Sequence, residues 1–124
     1  MSRVIALIPD LLFGSRVQGD LSAAGDEVEL IGDEARLRAR LAQDGTPAAD
    51  VLVVDLTDGQ LAGAVLVEAL SAEGALGSLR TLGFYSHVDA HARERAKQAG
   101  FDLVVPRSRM AREGPQLVER LISG

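Results

Sequence analysis

Cysteine and tryptophan are absent from this 124-residue sequence, and lysine occurs only once, as Lys97. The lack of cysteine excludes a disulfide framework, a thiolate zinc site and a cysteine nucleophile, and it fits a reducing compartment. Aromatic residues make up only 3% of the chain, so the core must be built from Leu, Val, Ile and Ala. No apolar run approaches the roughly 20 residues that a membrane-spanning helix needs. We therefore expect a cytoplasmic protein with no membrane partner.

The charge balance is acidic, with a formal net charge of −5 at pH 7. Proteins that bind nucleic acids neutralise phosphates with clustered basic side chains, so the balance speaks against a nucleic-acid partner. Hydrophobic residues make up 47% of the chain, which is ample for one packed interior. A chain of this length does not accommodate two complete cores. We therefore expect a single domain over residues 1–124.

Apolar runs alternate with segments of helical periodicity along the chain. The runs predict strands at 4–8, 27–31, 51–54, 79–85 and 103–105, most of them buried on both faces. The periodic segments predict helices at 11–24, 33–43, 60–72, 89–99 and 115–122. Asp33 is the expected N-cap of the second helix, Asp44 and Gly45 its end, and Pro115 the first position of the last helix. A five-fold β-α repeat predicts an α/β fold, a doubly wound five-stranded parallel sheet covered by helices on both faces.

Residues at the carboxyl ends of the strands are the candidate site, because ligands of such sheets collect there, near the point where the strand order reverses. The residues that follow or end strands one, three, four and five are Pro9 and Asp10, then Asp55, Leu56 and Thr57, then Ser86 and His87, and finally Pro106 and Arg107.

These residues resemble those of response-regulator receiver domains, the CheY-like family of two-component signal transduction, which has a flavodoxin-like (βα)5 three-layer fold. By that resemblance Asp10 matches the second residue of an acidic pair, Asp55 the phosphorylated aspartate, and Ser86 a phosphate-sensing hydroxyl. Tyr85 falls in the strand-four region that switching receivers use, although a half-buried aromatic residue explains it as well. The spacing over residues 86–106 is the most specific part of the likeness.

Positions 9, 106 and 107 depart from the family pattern. Pro9 stands where the first acidic residue is expected, and Pro106 stands where a lysine is expected, with Arg107 in the place of a proline. Arg107 could contact an anion in place of the lysine. However, an offset of one residue along a strand turns a side chain to the opposite face, so a solvated or helix-capping arginine is the alternative.

The resemblance implies a magnesium site built from the carboxylates of Asp10 and Asp55 and the backbone carbonyl of Thr57. Magnesium prefers octahedral oxygen ligands, and a third acid is missing at position 9. We therefore expect weak magnesium binding at most, and no required cofactor.

Each of these residues also has an ordinary structural interpretation. Asp10 could cap a helix, Asp55 could satisfy loop amides, and Ser86 could belong to a turn. His87 and His91 are spaced i, i+4, which suits a metal if both lie on a helix; surface histidines are the alternative.

The leading interpretation is a stand-alone, atypical receiver-like module, a pseudo-receiver that is not an enzyme and acts through protein–protein contact without conventional phosphorylation. The family's habit places docking, including a hypothetical homodimer, on the fourth helix, fifth strand and fifth helix. The basic residues of that face are Arg93, Lys97, Arg109 and Arg112. The alternatives are a weakened receiver phosphorylated at Asp55 by a histidine kinase, and a small-molecule-binding flavodoxin-like domain. The sequence leaves the isomer of the Val105–Pro106 peptide open.

Overall fold

A computed structural model of the chain describes residues 2–43 and 48–123. The predicted helix end at Asp44 and Gly45 lies outside these residues. The strands are β1 (Arg3–Leu7), β2 (Glu27–Ile31), β3 (Val51–Asp55), β4 (Arg80–Tyr85) and β5 (Leu103–Pro106). The helices are α1 (Leu11–Ala23), α2 (Glu34–Ala42), α3 (Gly63–Ala72), α4 (Ala92–Ala99) and α5 (Arg107–Ser123).

The five strands form one parallel sheet in the order β2-β1-β3-β4-β5. Val4 of β1 lies opposite both Val28 of β2 and Val51 of β3, so β1 is the strand from which the chain winds in both directions. The predicted doubly wound five-stranded sheet is therefore confirmed. The strand ends converge at one edge, where the order reverses between β1 and β3.

Each face of the sheet buries one cluster of the core, because successive strand side chains point to opposite sides. On β1, Val4 and Ala6 pack with α1 and α5, while Ile5 and Leu7 pack on the face covered by α2, α3 and α4. Every side chain from position 4 to 7 is fully buried, which stabilises the fold by about 1.5–3 kcal/mol for each large aliphatic side chain. The result is the predicted three-layer sandwich.

Aspartate side chains cap α2 and hold the turns that precede α3 and α4. Asp33 accepts a hydrogen bond from the Arg36 amide at 2.8 Å, as predicted for an N-cap. α3 and α4 each begin three residues later than predicted, because Asp58 and Asp89 first hold a turn through the amides two and three positions ahead. Ala62, just before α3, has φ 48°, the left-handed region that side chains rarely adopt.

Helical backbone begins earlier than predicted in the last helix, at Arg107 directly after β5, whereas the prediction placed the start at Pro115. It bends at Glu113, where φ is −127° and ψ is 18°. This kink divides the helix into two segments, and Pro115 lies in the first turn of the second one, where a missing amide hydrogen costs no helical bond. The predicted helix at 115–122 therefore matches the second segment, and the segment before the kink was not predicted. Met110 and Leu117 are buried on either side of the bend, so one apolar face is kept.

Gly83 allows the loop after β3 to approach the sheet closely. A Cβ atom at this position would lie 2.7 Å from Leu56 Cδ1 and 3.0 Å from the Phe101 ring. Only glycine leaves room for both side chains, so the β3–α3 loop can pack against β4 only with glycine at this position.

The Val105–Pro106 peptide is trans. None of the helices in the described ranges is long and apolar enough to cross a membrane.

Candidate functional site

The sheet topology brings the predicted site residues to one edge. Asp10 follows β1, Asp55 ends β3, Ser86 follows β4 and Arg107 follows β5, and these four strands are consecutive neighbours in the sheet. The edge therefore gathers two carboxylates, a hydroxyl and a guanidinium.

Asp55 is buried at the end of β3, with 2% of its surface exposed. Its Oδ1 accepts hydrogen bonds from the backbone N–H of Thr57 at 2.7 Å and from the Thr57 hydroxyl at 2.6 Å. Its Oδ2 receives no hydrogen bond from the described residues. Among those residues, every fully buried side-chain oxygen or nitrogen atom has a hydrogen-bond partner, so an atom without one, such as Oδ2, is not fully buried. Oδ2 therefore keeps contact with solvent, while Oδ1 holds the first turn of the loop.

Asp10 caps α1. Its Oδ1 accepts hydrogen bonds from the amides of Leu12 at 3.0 Å and Phe13 at 3.2 Å. Its Oδ2 accepts one from Nη2 of Arg107 at 3.3 Å. The Phe13 amide above all, and then the Leu12 amide and the guanidinium, hold the pKa of Asp10 below its ordinary value although partial burial opposes them. Both oxygens of this carboxylate thus have partners within the chain.

Arg107 lies against the α1 side of the site. Its Cζ is 4.1 Å from the centroid of the Phe13 ring, which in turn packs on Phe84 with 5.1 Å between ring centroids. The expectation that strand alternation would turn this side chain away does not apply, since Arg107 is the first residue of α5 and not part of β5. Phe13 was missed by the sequence argument, because an aromatic residue at a helix start carries no signal of its own.

The β4 end is less specific. Tyr85 is half-buried and lies opposite Pro106 in the sheet. The carbonyl of Ser86 accepts a hydrogen bond from the Asp89 amide at 2.9 Å, so this residue belongs to a turn. His87 and His91 both precede α4, and the condition for a helical metal pair is not met. Within residues 2–43 and 48–123, no group of three or more His, Asp or Glu is arranged to hold a metal.

The residues at this edge fit a magnesium ion poorly. Three of the four carboxylate oxygens of Asp10 and Asp55 already accept hydrogen bonds within the chain. Pro9 offers no side-chain oxygen. Magnesium demands near-octahedral oxygen ligation, so the remaining donors, Asp55 Oδ2 and any backbone carbonyl such as that of Thr57, make a weak ligand set.

An open groove of about 710 Å³ runs beside these residues, between α1, the β4–α4 loop and the start of α5. Basic and hydroxyl side chains stand in a lining whose surface is otherwise largely apolar, and which consists of Phe13, Arg16, Thr57, Ser86, His87, Arg107, Ser108 and Ala111. A smaller hollow of about 250 Å³ at the α2–α3 side is lined instead by Asp33, Glu34 and Asp58. The side chains at this edge of the sheet therefore differ in charge, with arginines toward β5 and carboxylates toward β2.

No protein-family model and no curated protein matches the sequence. Solved structures do match it over nearly its whole length. A putative response regulator from Chloroflexus aurantiacus is 15% identical, with a TM-score of 0.86 and coverage of 99% of this chain and 98% of that chain. The receiver domain of TorR, the response regulator of the TMAO respiratory system, is 18% identical, with a TM-score of 0.84 and the same coverages. The non-phosphorylated HemR receiver domain from Leptospira biflexa is 22% identical, with a TM-score of 0.79 and coverages of 100% and 96%. The chain has the fold of response-regulator receiver domains, as its strand-end residues predicted.

Proposed function

We propose that the chain is an atypical receiver module of signal transduction, which acts by binding a protein partner and does not depend on phosphorylation of Asp55. The observation that carries the proposal is the contact between Arg107 and Asp10, at 3.3 Å. The carboxylate that would hold a metal is occupied by a guanidinium from the chain itself and by the amides of α1.

The chemistry of phosphoryl transfer supports this proposal. Transfer to an aspartate needs a divalent metal and a cation that stabilises the equatorial oxygens of the phosphoryl group. Pro106 cannot supply that cation, and Asp10 and Phe13 hold the guanidinium of Arg107 on the α1 side of the site, in a groove that Asp55 does not line. Arginine also differs from lysine in geometry, since its planar fork does not act as a point charge. We therefore assign the module no enzymatic activity and no magnesium requirement.

The face formed by α4, β5 and α5 is the proposed docking surface for a cytoplasmic protein partner. Arg93 and Lys97 are exposed on α4. Arg109 and Arg112 lie 3.4 and 3.7 Å from the same carboxylate oxygen of Glu113 on α5, so that one carboxylate balances only one of the two positive charges. Nucleic acid is a poor match for so mixed a surface on a chain of net charge −5. The same face is the proposed contact of a homodimer; light scattering that shows a monomer at high concentration would remove that part.

A weakened but working receiver is the second candidate, and one observation favours it. Asp55 Oδ2 accepts no hydrogen bond from the described residues, so no bond to them has to break before this oxygen attacks a phosphodonor. In this case Asp55→Asn abolishes the response to the donor, whereas in the leading proposal it leaves partner binding unchanged.

Amide NMR separates the two candidates. Magnesium is titrated first and beryllofluoride, which imitates an aspartyl phosphate, is added in excess, with Asp55→Asn as the matched control. The proposal predicts no saturable shifts at Asp10, Asp55 and Ser86. Saturable shifts at these residues that spread toward Tyr85 and vanish in Asp55→Asn would establish the working receiver instead.

A further inference from the structure

The basic groove contains donors that nothing in the described structure uses. Among residues 2–43 and 48–123, no carboxylate pairs with Arg16 and no acceptor binds the His87 ring or the hydroxyls of Ser86 and Ser108. Arg107 has five N–H donors, and its one hydrogen bond to these residues is the bond from Nη2 to Asp10. On an acidic protein, this is a local concentration of unused cationic and hydroxyl donors.

The stack on Phe13 holds Arg107 in place for a ligand. Its guanidinium lies 4.1 Å from the ring centroid while Asp10 holds one edge, so this side chain has little rotamer freedom left to lose on binding. Arg16 is on the same side of α1 as Phe13, three residues further along the helix. Planar guanidiniums bind phosphoryl oxygens through parallel hydrogen bonds, and hydroxyls and imidazole complete such sites.

We propose that this groove binds the phosphoryl dianion of a small molecule non-covalently, between Arg16 and Arg107. The volume of about 710 Å³ falls within the range of small-molecule sites. Asp55 does not line the groove, and its carboxylate repels an anion from nearby. The inference goes beyond the proposed function, because the ligand forms no bond to Asp55 and occupies the side of the edge opposite to the acidic hollow.

Amide NMR at constant ionic strength, with inorganic phosphate replacing chloride, tests the site. Saturable shifts are expected at residues 16, 86, 87, 107 and 108. Arg16→Gln should weaken binding about fivefold, the upper end for an exposed ion pair. Arg93→Gln removes an equally exposed arginine of α4 and should leave the affinity unchanged. Phenyl phosphate is titrated in parallel: tighter binding than inorganic phosphate assigns the site to an organic phosphate, and equal or weaker binding assigns it to free phosphate.

Asp55→Asn provides the decisive control. Because it removes a nearby negative charge, phosphate should bind this variant as tightly as the wild type or more tightly. Loss of binding in Asp55→Asn would place the anion at the aspartate and overturn the proposal. Chemical shifts that do not saturate with phosphate, or that change equally in Arg16→Gln and Arg93→Gln, would indicate nonspecific charge screening. Either result would also overturn the proposal. A failed beryllofluoride titration has no bearing on these outcomes, so the two proposals fail separately.

Discussion

The hydrogen bonds on Asp55 allow its structural role to be separated from its charge. Asp55→Asn keeps the Oδ1 acceptor for the Thr57 amide and hydroxyl, and it places an amide nitrogen where Oδ2 has no partner among the described residues. Asp55→Ala removes the acceptor for both donors. If Asp55 serves to hold the β3–α3 loop, the alanine variant should be much less stable than the asparagine variant.

The expected magnitudes follow from the two contacts. Leaving the Thr57 amide without its acceptor costs about 1–3 kcal/mol, and Thr57 is half-buried, so water recovers part of that loss. We expect the free energy of unfolding of Asp55→Ala to fall by about 2 kcal/mol. Asp55→Asn should stay within about 1 kcal/mol of the wild type, because it also removes a negative charge from a poorly solvated position. Thr57→Val keeps the amide bond and loses only the hydroxyl bond, for about 1 kcal/mol.

Urea denaturation followed by circular dichroism measures all three variants, with a constant slope against urea showing that only stability has changed. Equal destabilisation by Asn and Ala would refute the argument, because it would make the charge and not the Oδ1 acceptor the important feature. A neutral Asp55→Ala would also refute it, since the loop would then not need these hydrogen bonds.

Three further predictions concern the backbone and the α1 cap. Ala62→Gly should raise the free energy of unfolding by about 1 kcal/mol, because glycine relieves the left-handed φ at this position. The control, Ala69→Gly inside α3, should lower the free energy of unfolding by about 0.5–1 kcal/mol. Urea midpoints that move in the same direction for both variants would contradict this prediction. Gly83→Ala should lower the free energy of unfolding by about 1–3 kcal/mol, because the added methyl group overpacks the site. The control is Gly19→Ala, whose Cβ would meet nothing within 4 Å and which should leave thermal stability unchanged or raise it. An unchanged stability of Gly83→Ala would contradict the prediction and show that the loop can move away. Backbone amides at the start of α1 lower the pKa of Asp10 below 3.8, so its charge contributes stability above that pH, and the contribution is lost as the pH falls through the lowered pKa. Asp10→Asn should therefore be less stable than the wild type at neutral pH and approach it in acid, and a difference independent of pH would contradict the assignment.

The sequence predicted the sheet and the identity of the strand-end residues because both depend on short-range patterns. Continuous apolar runs such as 51–54 have few alternatives to a buried strand. The positions of Asp10 and Asp55 then follow from where the runs end. Helix starts were less predictable, since an aspartate such as Asp58 or Asp89 can open either a helix or a preceding turn, and the choice depends on tertiary packing of the loop.

The contacts of Arg107 could not be predicted, because they depend on the backbone path between β5 and α5. Pro115 suggested a late helix start, which would have left residues 107–114 as a loop with no fixed direction. In the structure the helix follows the strand without a loop, and this turns Arg107 back toward α1. The groove was missed for the same reason: Arg16 and Ser108 are 92 positions apart in the sequence and come to line one groove only through the packing of α1 with α5.

The two departures from the receiver pattern are physically compatible with each other. Where the receiver pattern has a lysine followed by a proline, this chain has Pro106 followed by Arg107. Pro106 therefore ends β5 opposite Tyr85, and the cationic side chain belongs to the first residue of α5. From that position the cation reaches the end of β1, where Pro9 leaves Asp10 as the one acid, and a single guanidinium neutralises a single carboxylate. A second acid at position 9 would leave that end of the sheet with an excess negative charge beside the buried carboxylate of Asp55, which is the situation that a divalent metal resolves. With Asp10 paired to Arg107, the end of β1 carries no excess negative charge, and the exposed part of the guanidinium faces the groove.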